Sequence, residues 1–427
     1  MKKILESVLR FLAAKALKKY KPKVIGITGS MGKTSCKEAV FAVLSKNFNV
    51  RKNEKNYNNE IGVPLTILGL ESAGKNFFGW LSVFFKGFLM LIKKQKIYPE
   101  ILILEMGADH PGDLKYLTDN FPCDMGIVTS VGPVHLEFFE TIEKVAKEKS
   151  IMVSHLEKDG LAILNADDSL VYKMKDGLKA KAMTFGFSDF ADVKAFELTN
   201  PNLGINFDGM RFKMSYNGSV VPALLPGVIG SHQIFAALAA TCVGVSLGLN
   251  LVEISENLKG YQSPPGRMNV IEGIKHTLII DDTYNSSPLA AIKALDTVGR
   301  IELPAGNYKY AVLSDMLELG NFSEKGHAQV GEKVSQMGFD YLVTVGKESL
   351  KTAEAAIATG FAKERIANFE DSESAGKFLQ EKIKQGDLLL IKGSQVMRME
   401  KAVKELMANP LMAEKLLVRQ NEEWLKK

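Results

Sequence analysis

The sequence predicts an α/β protein made of two successive doubly wound units with largely parallel sheets, and three observations carry that prediction. First, short apolar runs that end in Gly or Asp, "KVIGITG", "EILILEMG", "MGIVTSVG" and "LAILNAD", alternate with helical stretches between Lys23 and Asp167. Second, the same alternation resumes as "HTLIIDDTYN", "YKYAVLSDM", "YLVTVG" and "DLLLIKGS", so the C-terminal part reads as a Rossmann-like α/β domain. Third, two prolines and a glycine break the chain in "YQSPPGRMN", Tyr261 to Asn269. The resulting division is an N-terminal helix over 1–22, a central domain over 23–263 and a C-terminal domain over 264–427.

Taken in order, "MKKILESVLRFLAAKALKKYK" spaces Ile4, Leu5, Val8, Phe11, Leu12 and Leu17 as one face of a basic amphipathic helix. The phosphate-loop strand follows at Val24 and Ile25. Further on, 76–96 carries a 16-residue apolar run, Phe77 to Ile92, interrupted by Lys86. That run falls short of the roughly 20 residues a membrane span needs, so it predicts a buried or interfacial helix. Contact with a membrane surface and packing of the two helices on each other, or in a dimer, are equally open. From Asp192 to about Val221 the pattern shortens, and "MRFKMSY" closed by "NGS" predicts an antiparallel hairpin before an Ala-rich helix. No internal repeat or low-complexity run interrupts the 427 residues.

Composition narrows the class. Hydrophobic residues at 46% and charged residues at 24% fit an ordinary folded enzyme rather than a disordered chain. A net charge of +5, spread over the length, implies no nucleic-acid partner. Three cysteines, Cys36, Cys123 and Cys242, without a C-x-x-C pair, fit a reducing cytoplasm and argue against a zinc cluster. No cleavable signal peptide is expected.

"GITGSMGKTS" carries the first chemistry. A glycine-rich turn between strand and helix lets backbone N–H groups approach phosphate oxygens, with Lys33 on the outer phosphates and Thr34 on magnesium. The strict G-x-x-x-x-G-K-[ST] spacing fails, because Ile27 stands where the first glycine belongs. What remains is T-G-x-x-G-K-T, and Thr28, Gly29, Ser30, Met31, Gly32, Lys33, Thr34 and Ser35 are the expected nucleotide contacts. The fold prediction is accordingly a P-loop type central domain. Glu105, at the end of "EILILE", is either a magnesium ligand or a capping or ion-paired acid. His135, in "GPVHLE", is either a second ligand or structural. Lys149 falls within the apolar stripe of Ile142, Val145, Ala146, Met152, Val153 and Leu156. A lysine there tends towards a lowered pKa, which leaves open a nucleophile, a Schiff-base former, a site of carbon dioxide addition and a snorkelling cation.

Together these segments resemble the Mur ligase family. The likeness runs through "TGSMGKTS", "NYNNEIGVPLT", "LEMGADHPGDL", "HLEFF" with "VAKEKS", "PPGRMN", "DDTYNSSP", "SDMLELG" and "IKGSQVMRME", in the family's order from about Lys23 to Ala402. It implies a central ATPase domain and an ATP-dependent peptide ligase of cell-wall synthesis, joining D-alanyl-D-alanine to a muramoyl-tripeptide through an acyl phosphate. The resemblance implies that Thr34, Glu105 and His135 serve two magnesium ions and that Lys149 is carbamylated and supplies a further ligand. It also assigns His232 and Arg267 to the nucleotide, Asp282 to the ribose, and Tyr284 and Asn285 to the nucleotide or dipeptide side. Asn58 and Asn59 resemble the loop that faces the acceptor, and the nucleotide is expected between the two domains. Departures from the family pattern are Gln233 and Ala236 in "GSHQIFA", where asparagines help hold adenine, and Gln395 in "KGSQ", with Arg398 nearby. Relatives grip the UDP of their substrate with a domain ahead of this loop. Here 27 residues precede Thr28, so the expectation is an altered handle for the acceptor, with a lipid-linked acid and a location at the inner face of the membrane as alternatives. A ligase extending another acid and a catalytically silent scaffold are the competing readings.

Overall fold

The computed structural model describes residues 2–54, 57–93, 97–134, 136–199, 209–421 and 424. The chain divides into two compact units, the first comprising Met1–Leu198, Phe212–Leu225 and His232–Tyr261, the second chiefly Gln262–Lys427 with Pro226–Ser231.

In the first unit the apolar runs become strands β1 (Lys23–Thr28), β2 (Val50–Lys52), β3 (Ile101–Glu105), β4 (Met125–Val128), β5 (Leu161–Asn165), β6 (Lys181–Gly186) and β7 (Val193–Thr199). Strands β8 (Gly209–Tyr216) and β9 (Ser219–Pro226) complete a nine-stranded sheet in the order β2-β3-β1-β4-β5-β6-β7-β8-β9. Pairing from β2 through β7 is parallel. β1 lies between β3 and β4, so the crossovers diverge on either side of it. That is a topological switch point, and ligands of such sheets bind beyond the carboxyl ends of the strands there. The expected hairpin turns through Asn217 and Gly218, both at positive φ (47° and 80°), as the turn that follows strand twist requires.

Helices of this unit are α1 (Lys2–Tyr20), α2 (Lys33–Leu44), α3 (Gly62–Leu68), α4 (Phe77–Ile92), α5 (Asp113–Asn120), α6 (Leu136–Phe139), α7 (Ile142–Ser154), α8 (Ser169–Tyr172), α9 (Ser231–Ser246) and α10 (Leu251–Leu258). α1 packs on α3 and α4. Its buried stripe is Leu9, Leu12, Ala13 and Ala16, while Ile4 and Phe11, expected on one apolar face with Leu12, stand exposed. The two alanines explain the shift: a small-residue stripe lets helices approach closely, and the contact then centres on them rather than on the larger side chains. No helix among the described residues is long and apolar enough to cross a membrane.

The second unit orders β10 (Asn269–Glu272), β11 (Leu278–Asp282), β12 (Lys309–Ser314), β13 (Tyr341–Val345), β14 (Ile366–Phe369) and β15 (Leu388–Lys392) as β10-β11-β15-β12-β13-β14. Only the β10–β11 pairing is antiparallel. The last strand, β15, inserts at the centre, and its run Leu388–Ile391 is almost wholly buried, as a strand covered on both faces must be. Helices α11 (Pro288–Gly299), α12 (Ser323–Gln336), α13 (Leu350–Ala358), α14 (Ser372–Lys382), α15 (Glu400–Leu406) and α16 (Ala413–Leu416) complete the unit. Two apolar clusters result, one built with Ala294, Leu295 and Val334, the other with Leu379, Val403 and Leu406.

Candidate active site

The loop after β1 is held from behind by the loop after β4. Gly29 has φ 143°, and a Cβ there would lie 2.1 Å from Thr129 Oγ1, so only glycine fits. Thr129 donates its hydroxyl to the Met31 carbonyl at 2.5 Å, Ser130 Oγ accepts from Met31 N–H at 3.1 Å, and Ser30 N–H donates to the Ser130 carbonyl at 2.8 Å. These bonds fix the loop without occupying the whole N-terminus of α2, whose first-turn N–H groups and dipole suit an anion. Lys33 Nζ folds back to the Gly29 carbonyl at 2.7 Å. Thr28 is buried and donates to the Met106 carbonyl at 2.9 Å, which ties the end of β1 to the end of β3.

Glu105 closes β3 and is nearly buried. Its Oε1 lies 3.4 Å from the Thr34 hydroxyl and 3.4 Å from the Asn58 amide, and its Oε2 lies 3.7 Å from Lys37 Nζ. Lys37, one helical turn after Lys33, is itself buried and also donates to the Asn53 carbonyl at 2.9 Å. Asn53 Oδ1 in turn accepts from the Glu105 N–H at 2.6 Å. Neither Lys37 nor Asn53 carried a local signal in the sequence beyond the i+4 spacing of the two lysines. The capping or ion-paired alternative for Glu105 is thus present in part, through Lys37, but the long contacts leave its oxygens facing the loop. A hydroxyl and a carboxylate oxygen are the hard donors magnesium takes, so these residues fit that ion.

Lys149 sits in α7, almost fully buried, and donates to the Ala108 carbonyl at 3.3 Å. Burial, reinforced by the nearby positive charge of Lys33, lowers its pKa from 10.5 to about 7. Its neighbour Glu148 reaches across to the start of α5 and accepts from Gly112 N–H at 3.0 Å and Leu114 N–H at 2.9 Å. Glu148 thereby anchors the turn that carries Ala108. His135 lies outside the described residues; no cluster of three or more His, Cys, Asp or Glu able to hold a metal occurs among the described ones.

Asn58 stays at the site, its carbonyl accepting from Gly107 N–H at 2.8 Å. Asn59 instead directs its side-chain oxygen to the N–H groups of Ile61 and Gly62 at the start of α3. His232 lies half-buried in the first turn of α9, beside the buried Gln233, whose side chain bonds the Tyr261 hydroxyl.

In the second unit Arg267 stacks its guanidinium 4.0 Å over the Tyr284 ring. Asp282 accepts from the buried Lys392 at 2.7 Å, and Lys392 also reaches the Asn285 carbonyl at 2.9 Å. Arg419 donates to the Thr283 and Tyr284 carbonyls and pairs with the buried Glu400 at 2.9 Å. Lys392, Arg419 and Glu400 were not foreseen; they hold the backbone that presents Asp282, Tyr284 and Asn285. Behind them Asp281 is wholly buried, and desolvation pushes its pKa up to about 7 although it accepts from Thr283 and Gly266.

Comparison with known proteins matches this arrangement. A family profile described as the Mur ligase middle domain covers residues 27–78 and 88–244, and one described as the Mur ligase, glutamate ligase domain covers 266–395. The first match is interrupted inside α4. UDP-N-acetylmuramoyl-tripeptide--D-alanyl-D-alanine ligase of Escherichia coli is 30% identical over 402 residues, spanning 93% of this chain and 80% of that protein. The Bacillus subtilis ligase of the same name is 28% identical over 405 residues, spanning 95% and 80%. The crystal structure of a MurF ligase from Thermotoga maritima in complex with ADP superposes with a TM-score of 0.76 at 27% identity, covering 94% of this chain and 83% of that one.

Proposed function

Because the chain belongs to the Mur ligase family, we propose that it is the ATP-dependent ligase that joins D-alanyl-D-alanine to a muramoyl-tripeptide in peptidoglycan synthesis. The observation that carries this reading is the constellation of Lys33, Thr34 and Glu105 around the loop after β1, with the buried Lys149 lowered to about 7 behind it.

The chemistry has two halves. The terminal carboxylate of the acceptor peptide attacks the γ-phosphorus of ATP, giving an acyl phosphate and ADP. The amine of D-alanyl-D-alanine then attacks the acyl carbon; a C–N bond forms, phosphate leaves and a proton is released. Phosphoryl transfer of this kind depends on positioning and electrostatics. The first-turn N–H groups of α2 orient the phosphates, and Lys33 offsets charge on the outer ones. Thr34 and Glu105, with His135, are the residues that would hold magnesium, which when bound neutralises charge on the transferring group. Lys149, a neutral amine near pH 7, adds carbon dioxide and loses one proton, and the resulting carbamate provides a further oxygen donor. Asn58 is the residue offered to the acceptor, with Asn59 holding the start of α3 beside it, while His232, Arg267, Asp282, Tyr284 and Asn285 serve the nucleotide or the incoming dipeptide. Use of ATP and the three free thiols support a cytoplasmic location.

The test is phosphate release from ATP with a muramoyl-tripeptide acceptor, with and without D-alanyl-D-alanine. Release that needs both substrates is expected; release with a different acid and amine, or none with any acceptor, overturns the assignment. Supplying the tripeptide on UDP or on a lipid carrier in parallel reads which carrier is used.

A further inference from the structure

We propose that α1 and α4 form an interfacial membrane anchor: the exposed aromatic face of α4 enters the headgroup region of an anionic lipid bilayer, with the lysines beside it on the lipid phosphates. Three observations lead there. α4 buries only Val83, Gly87 and Met90, through which it packs on the unit. Its opposite side presents Phe78, Leu81, Phe85, Phe88 and Ile92, spaced i, i+3, i+7, i+10 and i+14 on one stripe, with Phe78 at 78% and Phe85 at 64% exposure. An apolar stripe of that length is what a soluble surface avoids unless something covers it.

The second observation is charge. α4 contains no acidic residue, and exposed Lys86 and Lys93 lie on one flank of the helix, beyond the edge of its stripe. α1 adds Lys3, Lys15 and Lys18 on the exposed side that also carries Ile4 and Phe11. Its single acid, Glu6, is turned aside and paired with Lys2. An apolar stripe rimmed by cations is complementary to acyl chains under anionic headgroups. A second copy of the same face would instead set lysine rim against lysine rim, which disfavours self-association as the occupant.

The third observation is that the pair is rigidly joined. Gly87 admits Leu12 so closely that a Cβ there would lie 3.0 Å from Leu12 Cδ1. Lys19 Nζ donates to the Met90 and Leu91 carbonyls at 3.0 and 2.9 Å, and the Tyr20 hydroxyl donates to the Met90 carbonyl at 2.9 Å. α1 therefore caps the C-terminal end of α4 and holds that helix in place. At about 1.5 Å per residue the 16 residues of α4 reach about 24 Å, short of the roughly 30 Å hydrocarbon core, so the helix lies along the interface. The match to the family's middle domain is interrupted at 79–87, in the middle of this helix. Leu81 and Phe85 of the stripe fall in that interruption, while Phe78, Phe88 and Ile92 fall within the matched ranges.

The experiment is flotation of the full chain with vesicles of phosphatidylcholine alone and of equal parts phosphatidylcholine and phosphatidylglycerol. Binding to the mixed vesicles is expected to exceed that to phosphatidylcholine by roughly tenfold and to weaken with salt, as an apolar contact with an electrostatic component does. The combined variant Leu81→Ser, Phe85→Ser, Phe88→Ser should lose at least about tenfold in binding while keeping the melting temperature, because all three side chains are exposed. No binding to the mixed vesicles, or binding that the triple variant retains, overturns the proposal. So does self-association in sedimentation that the triple variant abolishes, which would identify a second copy as the occupant. Ligase turnover on water-soluble substrates rests on other residues and is measured separately, so failure of the anchor and failure of the ligase reading give different results.

Discussion

Replacing Lys149 with methionine tests the centre of the site. The change nearly keeps the volume of the side chain, puts a thioether in place of a methylene and removes the amine. At pH 7.5 a lysine lowered to about 7 is roughly three-quarters uncharged, whereas an ordinary lysine is uncharged about one time in a thousand. The fold therefore raises the reactive amine about a thousandfold, which is what carbon dioxide addition needs near neutrality. The same shift has a stability consequence with a definite sign. Between about pH 7 and 10.5 the unfolded chain binds more protons at Lys149 than the folded one, so stability rises with pH across that window and is flat below it. The difference corresponds to about 5 kcal/mol against the charged form. In buffer free of carbon dioxide, where Lys149 is the free amine, Lys149→Met removes that penalty, so its melting temperature near pH 7 should equal or exceed that of the parent protein. Turnover, read as ATP-dependent phosphate release, should fall by about a thousandfold or more, because loss of a metal-holding oxygen forfeits several kcal/mol of transition-state stabilisation. Carbon-13 NMR in labelled bicarbonate should show a carbamate resonance that the variant lacks. Turnover within about tenfold of the parent, or an identical carbamate signal in both proteins, would refute the reasoning.

Three further outcomes follow from the geometry. Gly29→Ala places a methyl group against Thr129 at a φ of 143°, so the loop must shift; nucleotide affinity, measured by calorimetry with ADP, should drop by about tenfold or more, a loss of 1.4 kcal/mol. Glu148→Gln leaves one of the N–H groups of Gly112 and Leu114 facing an amide NH2, and denaturant titration should show a loss of about 1–3 kcal/mol. Asp281, raised to about 7 by burial, binds a proton more readily folded than unfolded, so its contribution declines as pH rises from about 4 to 7. Asp281→Asn should flatten that decline, so that in thermal melts the stability of the variant relative to the parent improves between pH 5 and pH 8.

Much of the fold was legible because its central strands are written locally. β1, β3, β4, β5, β11, β12, β13 and β15 each coincide with an apolar run ending in a turn residue. Other strands were passed over, β6 and β10 among them, and the shortest show why: β2 is only "VRK" and β14 only "IANF", pieces whose strand character comes from the neighbour they pair with. The phosphate loop was legible for the same local reason, since its φ angles and N–H directions are set within a few residues. Glu148, Lys37 and Asn53 were not. Each acts on a partner 16 to 52 residues away, and nothing in "TSCKEAV" marks Lys37 as buried until the sheet beneath α2 is in place.

The two apolar helices illustrate the limit from the other side. Periodicity predicts that a helix has an apolar face, but it does not say which of two apolar faces a neighbour will cover. In α1 the alanines won, because close approach of α3 and α4 needs small side chains, and Phe11 was left outside. In α4 nearly every position is apolar, so the sequence carries no orientation at all; the orientation comes from Gly87, the point where Leu12 can enter. A single glycine therefore decides which five large side chains face the unit's exterior. Exposure of that stripe is a consequence of packing, and its chemistry, aromatic with a lysine border and no acid, was already present in the sequence before any helix had been placed.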